Sequence, residues 1–251
     1  MVNLAVRQLL PDLADDVDLA IAYAFPPDRP WVRANMVASV DGAAAVDGTT
    51  KGLSGPADQR AFGVLRQLAD VVLVGAGTAR TERYGAEPIR PEHVERRRAA
   101  GQTPAPPISV VSRSLDLDPS SDLFAGAPIR TIVITCTAAP AARRRELATV
   151  ADVVDAGRDA VDLAAAVDAL HARGLFRVSC EGGPHLLGQL VAVERLDELC
   201  LTLSPLLVGG APRLLADHPL PRPARLHLAH LLEADGFLFA RYLVERTLRT
   251  V

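Results

Sequence analysis

Residues Arg177–Leu190 read RVSCEGGPHLLGQL, in which an apolar run is followed by two glycines, a proline and an apolar-rich segment. Pro184 suits the first turn of a helix, where its missing N–H costs nothing. Gly182 and Gly183 have no Cβ, so a ligand can approach the backbone closely. The free N–H groups at a helix N-terminus also favour phosphate. The stretch therefore predicts a strand, a tight turn and a helix, and the turn is compatible either with a phosphate site or with a plain connection.

The composition is that of a folded chain. The 251 residues are 49% hydrophobic and 23% charged, enough for one large domain or two small ones. The net charge of -3 does not provide the excess positive charge that is typical of nucleic-acid-binding proteins. No apolar run reaches the ~20 residues of a membrane span, and the N-terminus lacks the basic start and apolar core of a signal peptide. We therefore expect a cytoplasmic protein with a small-molecule partner, and neither nucleic acid nor a membrane as partner.

The cysteines and histidines do not predict a metal site. Cys136, Cys180 and Cys200 all lie in apolar, strand-like runs, their number is odd, and no two of them are close in sequence. This pattern indicates buried thiols in a reducing compartment. His227 and His230 have no third ligand nearby, so we interpret them as sheet residues and expect no metal.

Apolar runs alternate with helical patterns from Trp31 to Leu203, which predicts an α/β fold with a mostly parallel sheet flanked by helices. Two further runs, Ala224–Leu232 and Phe237–Val244, flank a turn and predict a C-terminal antiparallel hairpin, so that the sheet is mixed. The predicted core strands are Trp31–Val40, Val71–Val74, Ile108–Val111, Ile129–Thr135, Val150–Val154, Phe176–Cys180 and Glu198–Leu203. We expect residues 1–30 to be an N-terminal extension and residues 31–251 to be a single domain.

Several local features have ordinary structural interpretations. Asp41-Gly42, between two apolar runs, predicts a hairpin turn. Ser54 or Asp58 is a candidate cap for a helix that runs through Leu68. The polar, proline-containing stretch Thr81–Pro107 predicts an excursion over the surface, and its run Arg96–Arg98 predicts a solvated face.

Four loops each follow an apolar strand: Asp41-Gly42, Gly75–Thr78, Ser112–Ser114 and Glu181–Pro184. The carboxyl ends of parallel strands share one sheet edge, so several of these loops should form one crevice. Glycine, hydroxyl and arginine groups together suit a phosphorylated cofactor. The ordinary dinucleotide fingerprint G-x-G-x-x-G is absent from the sequence.

The order of these motifs resembles one known family. The matching segments are Ala38–Gly42, Gly55 with Arg66 and Asp70, Val74–Thr78, Glu181–Pro184 and Ser204–Gly210. Together they resemble the reductase, or C-terminal, domain of the riboflavin-biosynthesis protein RibD, which has a dihydrofolate reductase-like fold. The resemblance covers about Trp31–Val244, and the zinc-containing deaminase domain that precedes this domain in bifunctional relatives is absent from the sequence.

The resemblance implies an NADPH-dependent reductase that converts the ribosyl group of an amino-ribosylamino-pyrimidine 5′-phosphate to ribityl, usually as a homodimer. The implied cofactor-binding residues are Ala38, Gly75, Gly77, Thr78, Glu82, Ser112, Arg113, Gly182, Gly183, Pro184, His185, Leu186 and Leu187. Among these, Arg113 suits the 2′-phosphate that distinguishes NADPH from NADH. The implied substrate-binding residues are Thr50, Arg66 and Glu181.

Two acids are the candidate catalytic residues. Asp41 or Glu181 could stabilise a protonated imine of the ribosylamine or hold the amide edge of the pyrimidine. Of the two assignments, we favour Asp41 near the reacting carbon and Glu181 on the ring.

One segment departs from the family pattern. Relatives carry a sequence similar to Asp-Asp-Pro-x-Leu-Thr-x-Arg, which helps to hold the ribose phosphate, whereas this chain reads Thr81-Glu82-Arg83-Tyr84-Gly85 and has its next arginine at Arg90. Two alternatives therefore stay open: a reductase of another heterocycle such as dihydrofolate, and a non-catalytic NADP(H)-binding module.

Overall fold

A ten-stranded sheet runs through the molecule, whose computed structural model describes residues 5–210, 212–216 and 218–245. The strands are β1 Arg7–Leu10, β2 Trp31–Ser39, β3 Val71–Gly75, β4 Ile108–Val111, β5 Thr131–Thr135, β6 Ala151–Asp155, β7 Arg177–Cys180, β8 Glu198–Ser204, β9 Leu226–Ala234 and β10 Phe237–Val244. Their order across the sheet is β1-β9-β10-β8-β2-β7-β3-β4-β5-β6.

The mixed sheet confirms the predicted fold class. All neighbouring pairs from β8 to β6 are parallel. The strands β8, β10, β9 and β1 pair antiparallel, so the C-terminal hairpin β9–β10 extends one side of the sheet. Strand β7 pairs with both β2 and β3, which places the loop after Cys180 at the middle of the sheet edge.

Helices cover both faces of the sheet. They are α1 Leu19–Ala22, α2 Pro56–Leu68, α3 Ala76–Thr81, α4 Pro91–Ala99, α5 Ala141–Ala148, α6 Leu163–His171 and α7 Pro184–Ala192. The apolar face of α6 packs with α7 against β2 and β7, and Leu163, Val167 and Leu170 are buried there as their helical spacing predicts. Residues Val71–Val74 of β3 are fully buried, as expected for a parallel strand covered on both faces.

A buried ionic cluster joins the N-terminal segment to the sheet. Arg33 of β2 and Glu198 of β8 are both fully buried, with 2.7 Å between Nε and Oε1. Arg241 donates to the same carboxylate at 3.0 Å, and Arg33 also donates to the carbonyl of Tyr23 at 2.8 Å. Burial opposes the charge on Glu198, but the two guanidinium groups outweigh it and lower the pKa of Glu198 to about 2. With β1 paired to β9, these contacts attach the described part of residues 1–30 to the sheet.

Two local predictions about turns and caps are wrong. Asp41-Gly42 is a turn, but no hairpin follows it: Ala43 forms a bridge with Arg213, because the chain turns away from β2 toward a later loop. The N-cap of α2 is Gly55 and not Ser54 or Asp58, because Pro56 occupies the first helical position.

The stretch Thr81–Pro107 is more ordered than an excursion over the surface. It contains α4, and Arg97 of that helix is fully buried although its run predicted a solvated face. The Arg97 guanidinium donates to the carbonyls of Gln67, Ala69 and Thr103 at 2.7–2.9 Å. It therefore satisfies backbone acceptors at the end of α2, which a charge pattern in the sequence does not reveal.

Candidate active site

A cavity of about 770 Å³ opens beside the carboxyl ends of β3 and β7. Its walls come from the middle of β2, the loop before α2 together with α2 itself, the segment from β3 through Gly85, and the turn that leads into α7. The predicted crevice at this sheet edge therefore exists, and it is built from chain segments that are far apart in sequence.

The glycine turn after β7 forms one wall. Gly182 has a φ of 86°, which favours glycine, and its carbonyl accepts a hydrogen bond from the N–H of Gly75 at 2.8 Å. A Cβ on Gly183 would lie only 2.4 Å from Oγ1 of Thr78. Helix α7 then begins at Pro184 without a side-chain cap among the described residues, so backbone N–H groups of its first turn remain available beside the cavity.

An ionic network centred on Glu181, the residue before the glycine turn, lines the same cavity. The Arg66 guanidinium donates from Nε to Oε1 of Glu181 at 2.9 Å and from its second nitrogen to Oε2. Tyr84 donates its hydroxyl proton to Oε2 of the same carboxylate at 2.8 Å. Arg66 also pairs with Glu87 at 2.8 Å and lies over the ring of Phe62, 4.5 Å from its centroid. This arrangement fixes Arg66 between two carboxylates and an aromatic face, so it is not a solvated surface arginine.

The pKa shifts of this network follow from burial and charge. Burial works against the charge on Arg66, but the Glu181 carboxylate outweighs it, so the pKa of Arg66 lies above its ordinary value. Burial, together with the Glu181 carboxylate, raises the pKa of Tyr84 well above its ordinary value. Tyr84 therefore keeps its proton and acts as a hydrogen-bond donor to Glu181 at all physiological pH values.

Thr50 and Glu82 meet at the rim of the same cavity. The backbone N–H of Thr50 donates to Oε1 of Glu82 at 2.7 Å. This contact ties the loop before α2 to the end of α3. Glu82, predicted to bind cofactor, thus also holds a predicted substrate residue in place.

A second cavity of about 510 Å³ adjoins the first. Gly77 lines both cavities, and Ser112, Arg113 and Ser114 line the second one together with Arg80. The loop after β4 therefore lies next to the loop after β3, as the parallel pairing of those two strands requires. Hydroxyl and guanidinium groups in this position suit an anionic group at the far end of an elongated ligand.

The structure brings most of the predicted site residues together. The first cavity is lined by Gly75, Gly77, Thr78, Glu82, Gly183, Pro184, His185 and Leu186 of the cofactor set, and by Thr50, Arg66 and Glu181 of the substrate set. Three cofactor candidates do not line either cavity: Ala38 and Leu187 are buried in the core, and Gly182 contributes its carbonyl to Gly75. Their neighbours Val37, Gly183 and Leu186 line the wall in their place.

Asp41 is also absent from the cavity wall. Its carboxylate accepts hydrogen bonds from the Ser39 hydroxyl at 2.5 Å and from the backbone N–H groups of Val208 and Gly209 at 3.1 and 2.7 Å. The Ser39 hydroxyl and then these N–H groups lower the pKa of Asp41 to about 2. The exposed carboxylate therefore holds a loop, and the structure does not place it at a reacting centre.

Several residues of the cavity wall were not predicted from the sequence as site residues. The wall also contains Lys51, Asp58, Phe62, Arg83 and Tyr84. Lys51 and Asp58 flank the motif residue Gly55, and this proximity is the sequence feature from which they could have been predicted as site residues. Arg83 and Tyr84 lie in the segment that departs from the family pattern, and all five residues of Thr81–Gly85 line the cavity. Arg90, the next arginine, instead pairs with Glu87 at 3.2 Å.

No three of the described His, Cys, Asp and Glu side chains are grouped so that they could hold a metal ion. Within the described ranges, no helix has the length and apolarity that a membrane crossing requires.

Known proteins with similar sequences include pyrimidinone phosphate reductases. Residues 30–236 match the RibD C-terminal domain. The chain is 32% identical to the 2,5-diamino-6-ribosylamino-4(3H)-pyrimidinone 5′-phosphate reductase of Archaeoglobus fulgidus, over 72% of this chain and 83% of that protein. The crystal structure of a pyrimidine reductase-like protein from Corynebacterium diphtheriae superposes with a TM-score of 0.84 at 31% identity, over 92% of this chain and 100% of that one.

A more distant structure supports the fold. The riboflavin biosynthesis reductase Rib7 of Saccharomyces cerevisiae has a TM-score of 0.64 at 14% identity, over 86% of this chain and 90% of that one. The sequence match over most of the chain, together with these structures, shows that the protein belongs to the RibD C-terminal domain family of riboflavin-biosynthesis reductases.

Proposed function

We propose that this chain is an NADPH-dependent reductase that converts the ribosyl group of an amino-ribosylamino-pyrimidine 5′-phosphate to ribityl. One observation carries the proposal. The glycine turn before α7 and the Arg66–Glu181 network line one and the same cavity, so a cofactor at the turn and a substrate at the network would lie next to each other. The names of the relatives support the same substrate class.

The residues present fit NADPH. Helix α7 begins without a side-chain cap among the described residues, which leaves backbone N–H groups for a pyrophosphate, and Gly183 lies too close to Thr78 to carry a side chain. The neighbouring cavity offers Ser112 and Arg113 to a 2′-phosphate, the group that NADH lacks. When bound, the nicotinamide supplies the hydride. The protein holds the cofactor through these groups and orients the substrate against it.

The substrate residues act by position and charge. Arg66 orients the Glu181 carboxylate through a two-point hydrogen bond, and Tyr84 donates to the same carboxylate from a second side. Lys51 and Arg83 line the cavity and have no side-chain partner within the described residues, so they are available to a phosphate. Arg83 would thus supply a cation in the segment where the family pattern is missing.

The remaining predictions follow from the family resemblance. We propose a cytoplasmic enzyme that forms homodimers and binds neither nucleic acid nor membranes. Sedimentation of the purified protein tests the dimer, and a monomer at working concentration would contradict it.

The altered segment Thr81–Gly85 favours one alternative, reduction of another heterocycle such as dihydrofolate, because the whole segment lines the cavity. The test follows NADPH absorbance with purified protein, and offers the diamino-pyrimidinone phosphate, its uracil analogue and dihydrofolate in parallel. Turnover of either pyrimidine phosphate supports the proposal, and turnover of dihydrofolate alone supports the alternative. If NADPH binds and no substrate reacts, the chain is a non-catalytic NADP(H)-binding module.

A further inference from the structure

Asp58 is a buried carboxylate in the cavity wall that the proposed reaction has not yet used. It lies in the first turn of α2, is 8% exposed and lines the large cavity. The Ser54 hydroxyl donates to its Oδ2 at 2.5 Å. Phe62, one helical turn further along α2, lines the same cavity and offers an apolar face.

The other two cavity acids are occupied. Glu181 is held by Arg66 and Tyr84, and Glu82 accepts the N–H of Thr50. Asp58 forms no ion pair with any described residue, and its Oδ1 accepts no hydrogen bond from them. A buried carboxylate without a cation is costly, and the positive end of α2 compensates only part of that cost. Oδ1 and the second lone pair of Oδ2 therefore have capacity for two donors that enter the cavity.

We propose that Asp58 is a substrate-binding residue that accepts two parallel hydrogen bonds from the N3–H and 2-amino groups of a 2-aminopyrimidin-4(3H)-one ring. An ionised carboxylate is an acceptor only, and its two oxygens match a pair of adjacent N–H donors. This inference rests on the proposed function and deepens it. It assigns recognition of the ring edge to Asp58 and predicts that a 2-aminopyrimidinone ring binds better than a uracil ring.

Asp58 should bind a 2-aminopyrimidinone ring in preference to a uracil ring, because the two rings present different groups beside N3–H. A uracil ring presents N3–H between two carbonyl oxygens, so one carboxylate oxygen of Asp58 would face an acceptor and stay unpaired. A dihydropterin has the same 2-amino and N3–H edge as the diamino-pyrimidinone. Asp58 would therefore bind the 2-amino edge of a diamino-pyrimidinone and of a dihydropterin alike. The measurement of which compound is reduced distinguishes the two.

The test compares wild-type protein with Asp58→Asn. The asparagine amide presents one donor and one acceptor, which match a carbonyl and an N–H of uracil. We expect wild-type kcat/KM to favour the diamino-pyrimidinone phosphate over its uracil analogue by about tenfold or more, and Asp58→Asn to lose or invert that preference. Glu92→Gln is the matched control, because Glu92 is an exposed acid in the first turn of α4 outside the cavity.

A binding measurement keeps the inference separate from the proposed function. Calorimetry with isocytosine and with uracil, in the presence of NADPH, reports ring-edge selection even if no phosphate substrate is reduced. We expect isocytosine to bind wild-type protein more tightly than uracil and Asp58→Asn to abolish the difference, with NADPH affinity unchanged as proof of folding. Equal binding of both rings to the wild type, or an unchanged preference in Asp58→Asn, overturns the inference.

Discussion

The backbone of Gly183 lies so close to the Thr78 side chain that a β-carbon on Gly183 would be 2.4 Å from Oγ1. The first turn of α3 and the turn before α7 thus touch at the proposed pyrophosphate position. We expect Gly183→Ala to displace the Thr78 hydroxyl and to weaken NADPH binding by about tenfold, the loss of roughly one hydrogen bond to a charged group. Fluorescence titration with NADPH measures this. Gly63→Ala is the control, because a Cβ there meets no atom within 4 Å and Gly63 lines neither cavity; equal effects of both variants would contradict the steric argument.

Arg66 compensates two buried carboxylates, those of Glu181 and Glu87. Arg66→Met leaves both without this cation, and we expect the free energy of unfolding to fall by about 3–5 kcal/mol, together with loss of activity. Urea denaturation measures the change. The control is Arg90→Met, which removes a more exposed partner of Glu87 and should cost less than about 1 kcal/mol. A loss of less than about 1 kcal/mol in Arg66→Met would contradict the prediction.

Arg113 is exposed in the second cavity and has no partner among the described side chains. If it binds the 2′-phosphate, Arg113→Ala should raise the Kd of NADPH by about tenfold or more and leave that of NADH unchanged. Arg145→Ala, an exposed arginine outside both cavities, is the control. Parallel loss of affinity for both cofactors would assign Arg113 a different role.

Asp41 holds the backbone of Val208 and Gly209 and does not line the cavity. We therefore expect Asp41→Asn to speed amide hydrogen exchange at these two residues, because it replaces an ionised acceptor, while kcat stays close to the wild-type value. Hydrogen-exchange mass spectrometry measures the exchange rates, and steady-state kinetics measures kcat. Loss of kcat with unchanged exchange would restore the catalytic role that the sequence suggested.

His230 gives the protein a defined response to acid. Burial, and then the charge of Arg241, lowers the pKa of His230 to about 4, whereas the unfolded chain takes up this proton near 6.5. The unfolded state therefore binds more protons between these values, so stability is complete above about pH 6.5 and is lost toward pH 4, by at most about 1.4 kcal/mol per pH unit. Glu198, with a pKa of about 2, adds its own loss only below its unfolded value of 4.5.

We expect His230→Gln to flatten the stability curve between pH 4.5 and 6.5, as measured by urea unfolding at several pH values. His227→Gln, at an exposed position of the same strand, should leave the slope unchanged. An unchanged slope in His230→Gln would contradict the prediction.

The sequence by itself determined the alternation of strands and helices, the closing hairpin and the family. These features depend on local signals: apolar periodicity, the proline at the start of α7, and glycines where the backbone turns sharply. The stretch Arg177–Leu190 folds as predicted, with β7 ending at Cys180 and α7 beginning at Pro184.

The family resemblance assigned Arg66 and Glu181 to one site, but only the tertiary structure decided which polar side chains pair directly with each other. Arg66 and Glu181 are 115 positions apart in the chain, and the packing of α2 beside β7 brings them into contact. The same packing turns Asp41 toward a backbone loop and Asp58 into the cavity, although both are acids next to glycine-containing motifs. Side-chain partners of this kind arise from long-range packing, and no local pattern in the sequence encodes them.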